Sequence, residues 1–236
     1  MTDKVGPHQI ITCCHCSFKK LCDVLNIPNN SKNLFESSGL KQDDISVSKG
    51  QSLYISGKGF KYIYAVKHGT LKTVLSNDRI VDFHFQGDFL GLDGFETNKH
   101  QLEAIAIEDT LVCAFDFKDF LAQADSRELG NQFLSQLFSK QANAKMKNHM
   151  YPRDALQRIC HLLLRLSQRN KEYGYAEDTI SLPMKRKDLA NYLELTLETV
   201  SRSLLALKNA GILLIDNKQI TVLDLKKLAE KSKLDN

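Results

Sequence analysis

Hydrophobic residues follow two different spacings along this chain. Between about residues 45 and 120, short apolar runs alternate with turn residues, and seven of the 12 glycines fall between Gly50 and Gly94. The runs are SLYIS, KYIYAV, TLKTVL, RIVDFHF and TLVCAFDF. Short β-rich runs separated by closely spaced turns indicate an antiparallel sandwich or roll.

Helical spacing replaces this pattern after about residue 130. Residues 131–151 are predicted to form one long helix, which ends at Pro152. Its possible heptad seam consists of Leu134, Leu137, Gln141, Ala144, Asn148 and Tyr151. Half of this seam is polar or small, so it favours a weak dimer with a defined register. The alternative is a helix that packs only against its own domain.

The last third of the chain contains the strongest local motif. After an apolar helix that includes Cys160 as a predicted core residue, the sequence KDLANYLELTLETVSRSLLALKNAGIL predicts two helices separated by a short turn. Thr196 is a suitable N-cap for the second helix, and Gly211 is a suitable C′ residue. The sequence ILLIDNKQITVL then predicts a hairpin, which completes a winged helix-turn-helix.

In such a motif the second helix enters the DNA major groove, and its first turns face the base edges. The predicted base-contacting residues are Leu197, Glu198, Ser201 and Arg202. Glutamate can accept from cytosine, arginine can form two bonds to guanine, and an apolar group can touch a thymine methyl. The predicted phosphate-contacting residues are Lys185, Arg186, Lys187 and Lys208. The alternative is a helical hairpin with a purely structural role.

Charge and composition support a DNA partner and exclude other classes. Of 32 Lys and Arg and 28 Asp and Glu, residues 151–236 hold 15 and 11, so the whole excess of +4 lies there. No apolar run approaches a membrane span, and the N-terminus lacks a secretory signal, so we expect a cytoplasmic protein without a membrane partner. No P-loop, nucleophile elbow or metal-hydrolase motif is present, so we do not expect this protein to be an enzyme.

Four of the six cysteines lie within residues 12–22. Thiols in the cytoplasm stay reduced, so such a cluster indicates metal ligands or a redox group rather than a disulfide framework. A structural zinc site would use Cys13, Cys16 and Cys22, with His15 or Cys14 as the fourth ligand. Spacing alone leaves zinc and iron–sulfur ligation open.

The sequence LTLETVSRSLLALKNAGIL, the glycine-spaced β region and the long helix together resemble the CRP/FNR regulators. The resemblance implies an α+β fold with an N-terminal β-roll like cyclic-nucleotide-binding domains, a central dimerisation helix and a C-terminal winged helix-turn-helix. The implied parts are a cluster-binding segment over 1–30, a sensory roll over 31–130, the dimer helix over 131–152 and the DNA-binding domain over 153–236. In this family glycine is common at the position of Glu194.

Cys13, Cys16 and Cys22, together with the distant Cys113, resemble the FNR and ANR branch in particular. The resemblance implies that these four thiolates hold an oxygen-labile [4Fe–4S] iron–sulfur cluster, which leaves Cys14 as a surplus thiol. Four thiolates are the ligand set of such a cluster. Two alternatives stay open: structural zinc with another effector, and a thiol-based redox or nitric oxide switch.

The resemblance also implies a function. We expect an anaerobic transcription regulator, an activator or repressor, whose cluster promotes a homodimer on double-stranded DNA and which recruits RNA polymerase. The expected half-site is TTGAT. CRP-like relatives hold a cyclic nucleotide through an arginine, but Arg79 is the only arginine before residue 127, so no cyclic nucleotide is expected.

Overall fold

The computed structural model describes residues 42–119 and 154–232, which fall into two compact units. The first is a β-roll and the second is a winged helix-turn-helix, so the predicted fold class is confirmed. The predicted cluster segment over 1–30 and the predicted dimer helix over 131–152 lie outside the described residues. Neither described stretch contains a helix that is long and apolar enough to cross a membrane.

The roll consists of two four-stranded antiparallel sheets. Its strands are β1 (Gln42–Val47), β2 (Ser52–Tyr54), β3 (Tyr62–His68), β4 (Thr70–Val74), β5 (Ile80–Phe85), β6 (Phe89–Leu90), β7 (Glu103–Ala106) and β8 (Thr110–Asp116). One sheet has the order β1-β8-β3-β6 and the other β2-β7-β4-β5. Five of these strands coincide with the five predicted apolar runs.

Alternation along the strands decides which side chains enter the core of the roll. The core cluster consists of Tyr54, Tyr64, Val66, Leu71, Leu90, Ala104, Val112 and Ala114. Successive residues of a strand point to opposite faces of the sheet. Val112 and Ala114 of β8 belong to this core, so Cys113, which lies between them, faces the other side of its sheet.

The second unit surrounds the two helices of the motif with further elements. These are α1 (Ala155–Glu172), β9 (Thr179–Ser181), α2 (Arg186–Leu193), α3 (Leu197–Asn209), β10 (Leu213–Asp216), β11 (Gln219–Val222) and α4 (Leu225–Ser232). The helix α1 packs against α3 and α4, and the sheet has the order β10-β11-β9. Cys160 on α1 is fully buried, as predicted, and burial raises the pKa of its thiol to about 11.

Candidate nucleic-acid interface

The turn between α2 and α3 is built around Glu194. Glu194 takes the left-handed conformation, with φ 56° and ψ 45°, directly after the last residue of α2. Its N–H donates to the Asn191 carbonyl at 3.2 Å, and the Leu195 N–H donates to the Ala190 carbonyl at 2.9 Å. These two bonds form a Schellman motif, in which glycine is the usual left-handed residue. The turn therefore keeps its geometry here without glycine.

Both ends of α3 are closed as the sequence predicts. The Thr196 hydroxyl accepts from the Thr199 N–H at 3.2 Å, which satisfies one of the open donors at the start of the helix. At the other end Gly211 has φ 68°, and the Ile212 N–H donates to the Leu207 carbonyl at 3.0 Å. The start of α3 and the path into the wing are thus fixed by local bonds.

One face of α3 is buried and the other is open to solvent. Val200, Leu204 and Leu207 are buried and hold the helix against the unit. The four predicted base-contacting residues, Leu197, Glu198, Ser201 and Arg202, are all exposed. The Ser201 hydroxyl donates to the Leu197 carbonyl at 2.9 Å, which leaves its oxygen able to accept another bond. Their contact with bases stays a prediction.

The predicted phosphate-contacting residues differ in exposure. Lys185, Lys187 and Lys208 are exposed, and Lys185 precedes α2 at its N-terminus. Arg186 is half-buried, and burial lowers the pKa of its guanidinium. It lines a pocket with Leu189 and other residues beside the hairpin turn. The three exposed lysines are therefore more accessible to a DNA phosphate than the half-buried Arg186 is.

Two arginines on α1 position the motif, although no sequence pattern indicates this role. The Arg158 guanidinium donates to the Leu193 carbonyl at 2.9 Å, which caps the last turn of α2. About two turns further along α1, the Arg165 guanidinium donates to the Tyr192 hydroxyl at 3.0 Å. Because these bonds join elements more than 25 residues apart, no local pattern could reveal them.

Cys113 lies on β8, a strand with a neighbour on each side. Its register partners are Asp44 on β1 and Ala65 on β3, and all three share one face of the sheet. The Cys113 side chain is buried and forms no disulfide. Lys67 binds Asp44 at 2.8 Å, so this ion pair joins the two strands that flank β8.

The other three predicted cluster ligands belong to the N-terminal segment. Cys13, Cys16 and Cys22, and also Cys14, lie outside the described residues. Within residues 42–119 and 154–232, no group of three or more His, Cys, Asp or Glu side chains is arranged to hold a metal ion. The four-cysteine ligand set therefore stays a prediction.

A buried carboxylate–imidazole pair fixes the segment between β6 and β7. Asp93 lies 3.2 Å from Nδ1 of His100 and accepts from the N–H groups of Gln101 and Leu102 at 2.8 and 2.9 Å. Burial by itself would raise the pKa of Asp93, but these bonds outweigh it and leave the pKa below its usual value. The ring of His100 also stacks on Tyr54, with 3.9 Å between ring centroids. The Asp93–His100 pair therefore orders this loop from inside the roll.

Comparisons with known proteins match both units. A cyclic nucleotide-binding domain model matches residues 44–127, and a Crp-like helix-turn-helix domain model matches residues 157–231. The transcriptional regulatory protein btr of Bordetella pertussis is 30% identical over 219 residues, which are 90% of this chain and 90% of that protein. The fumarate and nitrate reduction regulatory protein of Escherichia coli K12 is 29% identical over 90% of this chain and 86% of its own length. The chain belongs to the CRP/FNR family, of the FNR/ANR type.

A solved CRP/FNR-type structure agrees with this assignment. FixK2 from Bradyrhizobium japonicum is 28% identical and has a TM-score of 0.74, covering 84% of this chain and all of that one. As a member of the CRP/FNR family, the chain is a transcription regulator, and its helix-turn-helix is a DNA-binding element. The match to the cyclic nucleotide-binding model identifies the fold of the roll. That no cyclic nucleotide binds there stays a prediction.

Proposed function

We propose that this protein is an oxygen-responsive regulator of anaerobic transcription, in which cluster binding at the roll controls dimerisation and DNA binding. The observation that carries the proposal is its relationship to a fumarate and nitrate reduction regulator over 90% of the chain. Fumarate and nitrate reduction are anaerobic respiratory reactions. The four cysteines at 13, 16, 22 and 113 supply the ligand chemistry that such a sensor needs.

The surroundings of Cys113 are compatible with a ligand for an iron–sulfur cluster. A strand paired on both sides fixes the backbone of Cys113, and its cross-strand neighbour on β3, Ala65, has a small side chain. When bound, the [4Fe–4S] cluster would supply the oxygen sensitivity, since oxygen degrades it. Cys13, Cys16 and Cys22 would tie the N-terminal segment to β8, and the fixed position of Cys113 would determine where that segment lies.

Dimerisation is the second part of the proposal. The seam Leu134, Leu137, Gln141 and Ala144 would pair two copies of the helix predicted over residues 131–152. A homodimer presents two α3 helices to successive major grooves, so the site should be a near-palindrome with half-sites about one helical turn apart. A seam this poor in large apolar residues gives a weak dimer, whose population a modest change in free energy can shift.

Base recognition is assigned to the open face of α3. Glu198 would accept from a cytosine amino group and Arg202 would bind the guanine paired with it, so together they read the G·C pair within the GA core of TTGAT. Ser201 would contact the neighbouring thymine. The exposed lysines at 185, 187 and 208 would bind phosphates and orient the helix without reading sequence. The DNA-bound dimer would then recruit RNA polymerase as an activator, or repress, in the cytoplasm.

Unbiased site selection, followed by affinity measurements with and without oxygen, tests this function. The anaerobic protein should recover a TTGAT palindrome, and exposure to air should weaken both the dimer and its DNA affinity. Sedimentation and DNA titration measure the two effects on the same sample. Equal dimerisation and equal affinity in both states would remove oxygen sensing through assembly.

A designed change of specificity tests the assignment of the reading residues. CRP-type readers carry arginine and glycine at the positions of Leu197 and Ser201. The double variant Leu197→Arg, Ser201→Gly should therefore move the recovered half-site from TTGAT toward TGTGA, because an arginine at position 197 can bind guanine. Recovery of TGTGA by the unmodified protein, or of no palindrome, would refute the assignment.

A further inference from the structure

Leu205 is a large apolar residue on the solvent-exposed face of α3. It lies on α3 and is 55% exposed, although the same helix buries Val200, Leu204 and Leu207. It is not among the four residues that the sequence predicts as base contacts. An exposed leucine is common on any protein surface, so its position on the helix decides whether it has a role.

That position is on the side of α3 opposite the core. An α-helix turns by about 100° per residue, so Leu205 lies between Ser201 and Glu198 when the helix is viewed along its axis. Arg202 and Asn209 lie further round the same face, and all four of these neighbours are exposed. Leu205 follows Ser201 by four residues, or about 6 Å along the axis. It therefore extends the reading surface by one further turn.

The chemistry of the major groove contains one apolar group that a leucine can meet. Adenine, guanine and cytosine present polar donors and acceptors there, whereas thymine also presents its C5 methyl group. The four residues beside Leu205 on this face of α3, at positions 198, 201, 202 and 209, are all polar and exposed. A thymine methyl would provide an apolar partner as soon as α3 enters the groove.

The geometry points to Leu205 as a further specificity-determining residue, which contacts the C5 methyl group of a thymine in or next to the half-site. The inference rests on the proposed entry of α3 into the major groove. It does not depend on oxygen sensing, on the cluster or on the sequence TTGAT. Loss of one buried methyl contact corresponds to about fourfold weaker binding per half-site.

Thymine and deoxyuridine differ only by this methyl group, which allows a double-mutant cycle across the interface. The probe is the palindrome that the full-length protein selects, with each thymine of the half-site and its flanks replaced in turn by deoxyuridine. The protein is used in whichever state binds most tightly. The variant is Leu205→Ala, and the control is Leu214→Ala, because Leu214 is 52% exposed on β10 of the wing.

At one thymine position we expect deoxyuridine to weaken binding of the unmodified protein about fourfold per half-site and to have little effect on Leu205→Ala. The Leu214→Ala control should respond to deoxyuridine like the unmodified protein. If each deoxyuridine replacement weakens DNA binding by Leu205→Ala and by the unmodified protein by the same factor, the inference is wrong. It is also wrong in that case if the Leu205→Ala variant binds every DNA sequence more weakly by one common factor. Failure to select TTGAT would refute the proposed half-site and leave this test intact on the site recovered.

Discussion

Replacing Glu194 by glycine and by alanine measures the cost of the left-handed turn between α2 and α3. Glu194 has φ 56° at the C′ position of α2. That backbone conformation costs a residue with a side chain about 1–2 kcal/mol. Glycine avoids this cost but loses about 0.5–1 kcal/mol more chain entropy than alanine on folding. The Glu194→Gly variant should therefore be more stable than Glu194→Ala by roughly 0.5–1 kcal/mol.

The alanine variant is the matched control because it also removes the carboxylate and keeps the strain. Urea unfolding, monitored by circular dichroism, gives the free energy of unfolding. Circular dichroism is chosen because the chain has no tryptophan to report by fluorescence. Hydrogen exchange of the Leu195 amide, which donates to Ala190 at 2.9 Å, reports on the turn itself. DNA affinity should not change in the glycine variant. Equal stability of the two variants, or faster exchange with glycine, would refute the strained turn.

Three further predictions concern other parts of the molecule. Asp93→Asn should destabilise the roll by about 2 kcal/mol at neutral pH. Because the pKa of Asp93 is lowered from 3.8 on folding, this difference should shrink in urea unfolding below about pH 4, as the carboxylate of the unmodified protein becomes protonated. Arg158→Met should cost about 1.5–3 kcal/mol of stability, since the Leu193 carbonyl loses a charged donor, and thermal unfolding should detect it. Lys208→Ala should weaken binding to all DNA sequences alike and reduce the salt dependence measured by titration, whereas a change in sequence preference would contradict a phosphate role.

The elements that the sequence predicted are those with a local signal. Five of the strands in the roll carry apolar runs, and Thr196 and Gly211 mark the two ends of α3. The strand β1 has the sequence QDDISV, whose polar residues give no strand pattern, and it forms because β8 offers an edge to pair with. The short strands β6 and β9 and the helix α4 depend in the same way on packing against other elements.

The candidate site also combines residues that local sequence spacing could predict with residues that depend on packing. The exposed face of α3 follows from helical spacing, so Leu197, Glu198, Ser201 and Arg202 could be predicted as exposed from sequence alone. The half-burial of Arg186 could not, because it depends on the pocket beside the hairpin turn. Glu194 is a third case. The sequence has glutamate where the family commonly has glycine, and the backbone angles show that Glu194 takes the left-handed conformation itself.

The proposed iron–sulfur cluster depends on Cys113 as its fourth ligand. Anaerobic purification of the unmodified protein and of Cys113→Ser, with assays of iron, sulfide and zinc, tests this ligand assignment. The matched control is Cys160→Ser, which alters a fully buried thiol of the other unit. Cys14→Ser tests the surplus thiol in the N-terminal cluster.

We expect the unmodified protein to contain as much sulfide as iron, and we expect Cys160→Ser and Cys14→Ser to retain both. Cys113→Ser, like Cys13→Ser, Cys16→Ser or Cys22→Ser, should lose them, because a four-iron cluster needs all four thiolates. Zinc without sulfide in the unmodified protein would instead assign the N-terminal cysteines to a structural metal. A full cluster in Cys113→Ser together with its loss in Cys14→Ser would contradict the ligand assignment.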